Sequence, residues 1–148
     1  MRSFAYALAG IASAVREERH MRIHLAAGFY VVEAGLVLHI TVPEWAAVLI
    51  CIALVLSLEL VNTAVERLCD RVTVEGDALI GKAKDCCAGA VLFAAVISAA
   101  VGCAAFFSDG RPGAAFDFFA KNPMAAGITV LTLPAWIYFI FRKRRSCQ

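Results

Sequence analysis

The sequence predicts an all-α, polytopic membrane bundle, on three observations. The first is composition. Of the 148 residues, 61% are hydrophobic and 18% charged, and the mean hydropathy is +0.76. Soluble domains lie nearer half apolar and a quarter charged. The second is that the apolar residues collect in blocks long enough to enter a bilayer, which needs about 20 residues, with 17 to 25 typical. The third is that 12 of the 14 Lys and Arg residues lie in three places: the N-terminal segment, the connector 67–84 and the stretch 142–145. A net charge of +2 says little by itself, and no nucleic-acid partner is expected. The length suits about one domain.

At the N-terminus, Phe4, Leu8, Ile11 and Val15 recur at helical spacing. Arg16, Glu17, Glu18, Arg19, His20 and Arg22 follow. This predicts one amphipathic helix with a charged C-terminal part, suited to the water–lipid interface. The stretch does not read as a signal peptide, because it is short and meets dense charge with no clear cleavage context. A first span is expected over Leu25–Val42, with a turn at Pro43 and Glu44. Trp45 opens a second apolar run that lasts to about Leu60 and stays helical beyond it. A polar connector, "CDRVTVEGDALIGKAKD", leads to a third span, Cys86–Phe107. "SDGRPGAAFDFFAKNP" reads as a loop, since Gly and Pro punctuate it. Met124–Phe141 is a fourth run; it contains Pro134 and leads into "RKRR". Because positive loops face the cytoplasm, four spans put both termini and the polar connector inside. The six cysteines form no CxxC pair and read as small apolar fillers.

The chemistry concentrates in "LELVNTAVERLCDRV". Glu59, Asn62, Glu66 and Asp70 are spaced 3, 4 and 4 apart, so they form one stripe on a helix. A charge inside a membrane costs about 2.5–3.5 kcal/mol on insertion scales. Lipid is therefore not what this stripe touches; cations, water or other polar protein groups are. For Asp70, simple emergence into solvent explains as much. Asn62 also suits cross-helix hydrogen bonding. Glu17, Glu18, Lys84, Asp85 and the Glu75–Asp77 segment fall at the same level. Converging carboxylates can hold Mg²⁺ together with substrate phosphates, Lys84 can contact phosphate, and a remaining carboxylate can take a proton from an alcohol. These are the parts of phosphoryl transfer. No Walker A sequence is present; "GKAKD" is not one.

Glu33 stands alone in the middle of the first span. It suggests either a proton or cation relay, or a hydrogen bond to another helix. His39 reads as interfacial, and His20 and His24 belong to no evident metal set.

"RSFAYALAGIASAVREERHMRIHLAA", "ELVNTAVERLCDRV" and "GKAKDCCAGAVL" resemble the prokaryotic diacylglycerol kinase/undecaprenol kinase family, in order and without gaps from about Ser3 to Gly102. "MRIH" leans toward the undecaprenol kinase branch. The resemblance implies a small membrane enzyme of the bacterial plasma membrane. It would be a homotrimer with active sites between subunits, moving the γ-phosphoryl of MgATP to a lipid alcohol, undecaprenol first and diacylglycerol next. It makes Glu59 the catalytic base and also a contact to the lipid. It makes Glu18 and Glu66 the carboxylates for Mg²⁺, and assigns Tyr6, Glu18, Glu66, Glu75, Gly76, Asp77, Lys84 and Asp85 to nucleotide. His20, Met21, Arg22, Ile23, His24 and Ala88 would lie along the lipid, with Asn62 and Asp70 supporting the polar site. The implied division is 1–107 as kinase core and 108–148 as outer loop, additional span and basic tail. The family pattern has three spans and no equivalent of Glu33, and around Asp77 and Ala88 this chain differs from the diacylglycerol-selective members. A small ion-coupled transporter using Glu33, or a non-catalytic assembly protein, is the alternative. Both leave the grouping of Glu18, Glu66, Lys84 and Asp85 without a purpose.

Overall fold

The computed structural model describes residues 2–72, 77–108 and 110–142. Among them there are six helices and no strand: α1 (Arg2–Glu17), α2 (Arg19–Val37), α3 (Val42–Val72), α4 (Ala78–Phe106), α5 (Arg111–Lys121) and α6 (Pro123–Phe141). α3, α4 and α6 are long and apolar enough to cross a membrane. α2 falls short of that measure, because its polar first turns and Glu33 interrupt the apolar sequence. α3 and α4 pack most extensively against each other, and α2 lies against α3.

The N-terminal helix is shorter than its sequence pattern. Glu18 takes an extended conformation, with φ −94° and ψ 123°. A helix suited to the interface and one suited to cross a bilayer would need different axes, and the helical backbone breaks at this residue. Arg19, His20 and Arg22 therefore stand on α2 rather than on α1.

α2 ends at Val37, before the expected Val42. His39 turns the chain with a φ of 48°, in the left-handed region that non-glycine residues seldom adopt. Pro43 then sits in the first turn of α3, where its missing N–H costs nothing. α2 and α3 approach closely where small residues allow it. A Cβ at Gly35 would come within 2.8 Å of Trp45 Cη2 and 3.1 Å of Ile40 Cδ1, and one at Gly28 within 3.3 Å of Ile52 Cγ2. Ile40 and Val48 are buried in this corner with Ala105.

The stretch read as a loop after α4 holds a helix, α5. Gly110 supplies the left-handed N-cap, with φ 72°, and Pro112 lies in the first turn. The Gly and Pro signals thus mark the start of a helix whose body, "AAFDFFAK", propagates it. Arg111 joins three elements: it donates to Glu44 Oε1 at 2.7 Å and Oε2 at 3.0 Å, and to the carbonyl of Ala105. Glu44 precedes Trp45 and so lies outside the apolar run. The Arg111 guanidinium first, and Thr41 next, hold its carboxyl down at about 2.

α6 packs on α2. Thr129 Oγ1 donates to Glu33 Oε1, Tyr30 and Thr132 hydroxyls share a hydrogen bond of 3.0 Å, and the Phe29 and Trp136 rings lie 5.6 Å apart. Of the two readings of Glu33, this geometry gives the contact to another helix.

Two outcomes follow for stability. Gly35→Leu forces Trp45 out of its place and lowers stability by about 1–3 kcal/mol, read as an earlier midpoint in detergent unfolding; an unchanged midpoint would show that the corner can repack. Thr129→Val removes a membrane hydrogen bond, for which about 0.6 kcal/mol is the average and ~1.7 the upper end. Its effect is read by the Trp136 fluorescence transition, and a transition superimposable on wild type refutes a structural role for this contact.

Candidate active site

The stripe on α3 is built as its spacing requires. Glu59, Asn62 and Thr63 are buried, Glu59 to 4% exposure, although all three are polar. Asn62 Nδ2 donates to Glu66 Oε1 at 3.0 Å. Helical rise separates Glu59 from Glu66 by about 10 Å. Asn62 stands between the deep carboxylate and the shallow one on a single face, bonded to the shallow one. Thr63 was not singled out by the sequence; it shows no charge and only its burial marks it.

Arg67, also unmarked by the pattern, holds α1 against this face. Its guanidinium lies 3.0 Å from Glu17 Oε2 and 3.7 Å from Glu18 Oε1, and it donates to Ser13 Oγ at 3.0 Å. Ser13 in turn donates to Glu17 Oε1 at 3.0 Å. Arg67 adjoins Glu66 in sequence, so this clamp brings Glu18 to the same end of the bundle as Glu66. His20, Glu66 and Glu18 all act electrostatically on Glu59. The four groups form one charged neighbourhood at the junction of α1, α2 and α3.

On the α4 side, Lys84 Nζ pairs with Asp70 Oδ1 at 2.5 Å, which ties the start of α4 to the end of α3. Lys84 also lies within electrostatic range of Glu66. Asp77 caps α4, accepting from the Leu79 N–H at 2.7 Å. Asp85 and Ala88 are exposed on α4. Tyr6 is 72% exposed and shares a helical face with Ser13 and Glu17 on α1; among the described residues no hydrogen bond joins it to the cluster. Glu75 and Gly76 lie outside the described residues.

The segment His20–His24 divides between two sides of α2. At about 100° per residue, His20 and His24 share a face and Arg22 points the opposite way. His20 faces Glu59 electrostatically, and His24 lines an apolar pocket. Met21 is buried and Ile23 is 37% exposed. Arg22 is turned to α6, donating to the Arg142 carbonyl at 3.2 Å.

That pocket, about 350 Å³, runs between α2, α3 and α4, with His24 and Leu56 at one end and Val48 and Phe106 at the other. Leu56 precedes Glu59 by three residues, nearly one helical turn. The buried carboxylate therefore stands just past the polar end of an apolar slot. Among the described residues no three His, Cys, Asp or Glu side chains converge as a metal-holding group, and the five described cysteines are free.

The family model for prokaryotic diacylglycerol kinase matches residues 5–106. The undecaprenol kinase of Bacillus subtilis is 39% identical over 101 residues, which cover 68% of this chain and 82% of that protein. A diacylglycerol kinase of a Synechocystis species is 41% identical over 101 residues, covering 68% of this chain and 58% of that protein. No solved structure matches the chain. α5 and α6 lie beyond the matched residues. A helical chain with helices long and apolar enough to cross a membrane and a stripe of polar residues at one end of α3, matched over most of its length by this family, belongs to the prokaryotic diacylglycerol kinases and is a lipid kinase.

Proposed function

We propose that the enzyme transfers the γ-phosphoryl group of MgATP to a membrane lipid alcohol at the cytoplasmic face of the bacterial plasma membrane, with undecaprenol preferred and diacylglycerol next. The observation that carries this reading is the position of Glu59, buried between an apolar slot and a group of charged side chains. A lipid alcohol is confined to the bilayer and a nucleotide to water, so their reacting atoms meet only at such a boundary.

Glu59 accepts the hydroxyl proton of the lipid as its oxygen attacks the γ-phosphorus. The new oxygen–phosphorus bond forms as the bond to the β–γ bridging oxygen breaks, and ADP leaves. The hydrocarbon beside the hydroxyl lies in the slot that begins at His24 and Leu56, with Met21, Ile23 and Ala88 along the lipid's approach. Glu18 and Glu66, at the same end of the bundle, would hold Mg²⁺, which usually binds one or two carboxylates with phosphates and water and needs no full protein cage. When bound, the ion neutralises charge on the phosphate oxygens. Asn62 steadies Glu66 through its hydrogen bond. Lys84, Asp85, Tyr6 and the segment Glu75–Asp77 serve the nucleotide, with Lys84 exchanging Asp70 for phosphate.

The basic ends orient the chain with both termini in the cytoplasm, residues 1–107 forming the kinase core and 108–148 an added unit. α2 then crosses the bilayer as a fourth helix, held by its contacts with α3 and α6. A homotrimer with sites between subunits is the assembly we assign, on the family resemblance.

The test is phosphate transfer by purified protein, comparing undecaprenol with diacylglycerol, each with MgATP and MgGTP. Glu59→Gln is expected to lower turnover by about 10²-fold or more, the usual worth of a positioned base, with folding and ATP binding retained; near-normal turnover in this variant removes Glu59 from the role. Glu66→Gln is expected to abolish transfer or raise the Mg²⁺ needed for half-maximal rate by roughly ten- to a hundredfold, the range seen when support at a metal site is lost. A Mg²⁺ titration identical to wild type would place the ion elsewhere.

A further inference from the structure

A second cavity, about 390 Å³, opens where α1, α2 and α6 meet. Leu8, Ile11 and Val15 of α1 and Phe139 of α6 give it apolar walls. Its polar lining is wholly cationic: Arg16, Arg22 and Arg142. It is separate from the slot beside Glu59, since Arg22 lies on the face of α2 opposite His24.

Arg22 is only 8% exposed, yet its guanidinium has one neutral acceptor, the Arg142 carbonyl, and its Nε is buried without a partner. The Phe139 ring lies 5.9 Å from it, and Arg19 sits 4.4 Å from the Phe141 ring. Among the described residues no carboxylate lies within ion-pair distance of Arg16, Arg19, Arg22 or Arg142; the nearby Glu17 and Glu18 are taken by Arg67. A buried cation without a counter-ion is costly, and the walls would favour hydrocarbon beside it.

The geometry points to a binding site for the phosphate headgroup of an anionic membrane lipid, formed by the surface helix and the C-terminal helix and distinct from the catalytic site. Arg16, Arg22 and Arg142 pair with the phosphate, and Leu8, Ile11, Val15 and Phe139 contact the first part of the acyl chains. Basic pockets between helices at the membrane surface recognise acidic headgroups in this way. The site depends on α6, so a chain limited to residues 5–106 would lack it.

Native mass spectrometry of the full chain in detergent tests this, with phosphatidylglycerol, phosphatidylcholine and inorganic phosphate as probes. Wild type is expected to retain phosphatidylglycerol in clear preference to phosphatidylcholine. Arg16→Gln with Arg142→Gln keeps the backbone acceptor of Arg22 and is expected to weaken phosphatidylglycerol retention roughly tenfold or more, leaving phosphatidylcholine unchanged. Arg16→Lys with Arg142→Lys, which preserves the charge, restores most of it. Equal retention of the two lipids by wild type overturns the proposal without any variant. Undiminished phosphatidylglycerol retention by a folded Gln pair also overturns it. Displacement of phosphatidylglycerol by millimolar inorganic phosphate would assign the cavity to a free anion and reject the lipid.

Discussion

Glu59 is 4% exposed on a helix whose preceding residues are almost uniformly apolar. An acid at such a place costs a few kcal/mol to insert, and the surrounding structure is arranged so that this acid meets protein and not hydrocarbon. α1 folds back over it, α2 sends His20 toward it, and Asn62 and Glu66 continue its face toward water. The end of the bundle therefore holds buried polar groups beside an apolar slot, which is the arrangement a reaction between a lipid and a nucleotide requires.

Arg67 makes that arrangement possible. It contributes no chemistry to phosphoryl transfer in our proposal, but it fixes the surface helix through Ser13, Glu17 and Glu18. Lys84 and Asp70 perform the corresponding task between α3 and α4. The site is thus bounded by ion pairs at two helix junctions, both near water, where such contacts can open and re-form at small cost.

The stripe on α3 was legible because residues on one helix keep fixed angles, and spacings of 3 and 4 leave little freedom. The all-helical membrane class was legible from the apolar blocks. The corner at Glu18 was not, because Phe4 to Arg22 continues a helical period across it; only the need for two helix axes demands the break. α5 was hidden by Gly110 and Pro112, which can open a helix as readily as a loop. The segment His20–His24 could be placed along the lipid as a group, but spacing alone does not say which neighbour each face meets. Its division between Glu59 and α6 depends on where α6 packs. For the same reason Glu33 kept two readings until Thr129 was found beside it.

The slot between α2, α3 and α4 is about 350 Å³, near the low end for a small-ligand cavity. If this slot takes the acceptor, as proposed above, a membrane lipid's tail far exceeds its volume, and most of the tail would stay among its neighbours in the bilayer during the reaction. Discrimination between acceptors then falls on the few carbons nearest the hydroxyl, and chains of quite different length should be interchangeable provided those first carbons match.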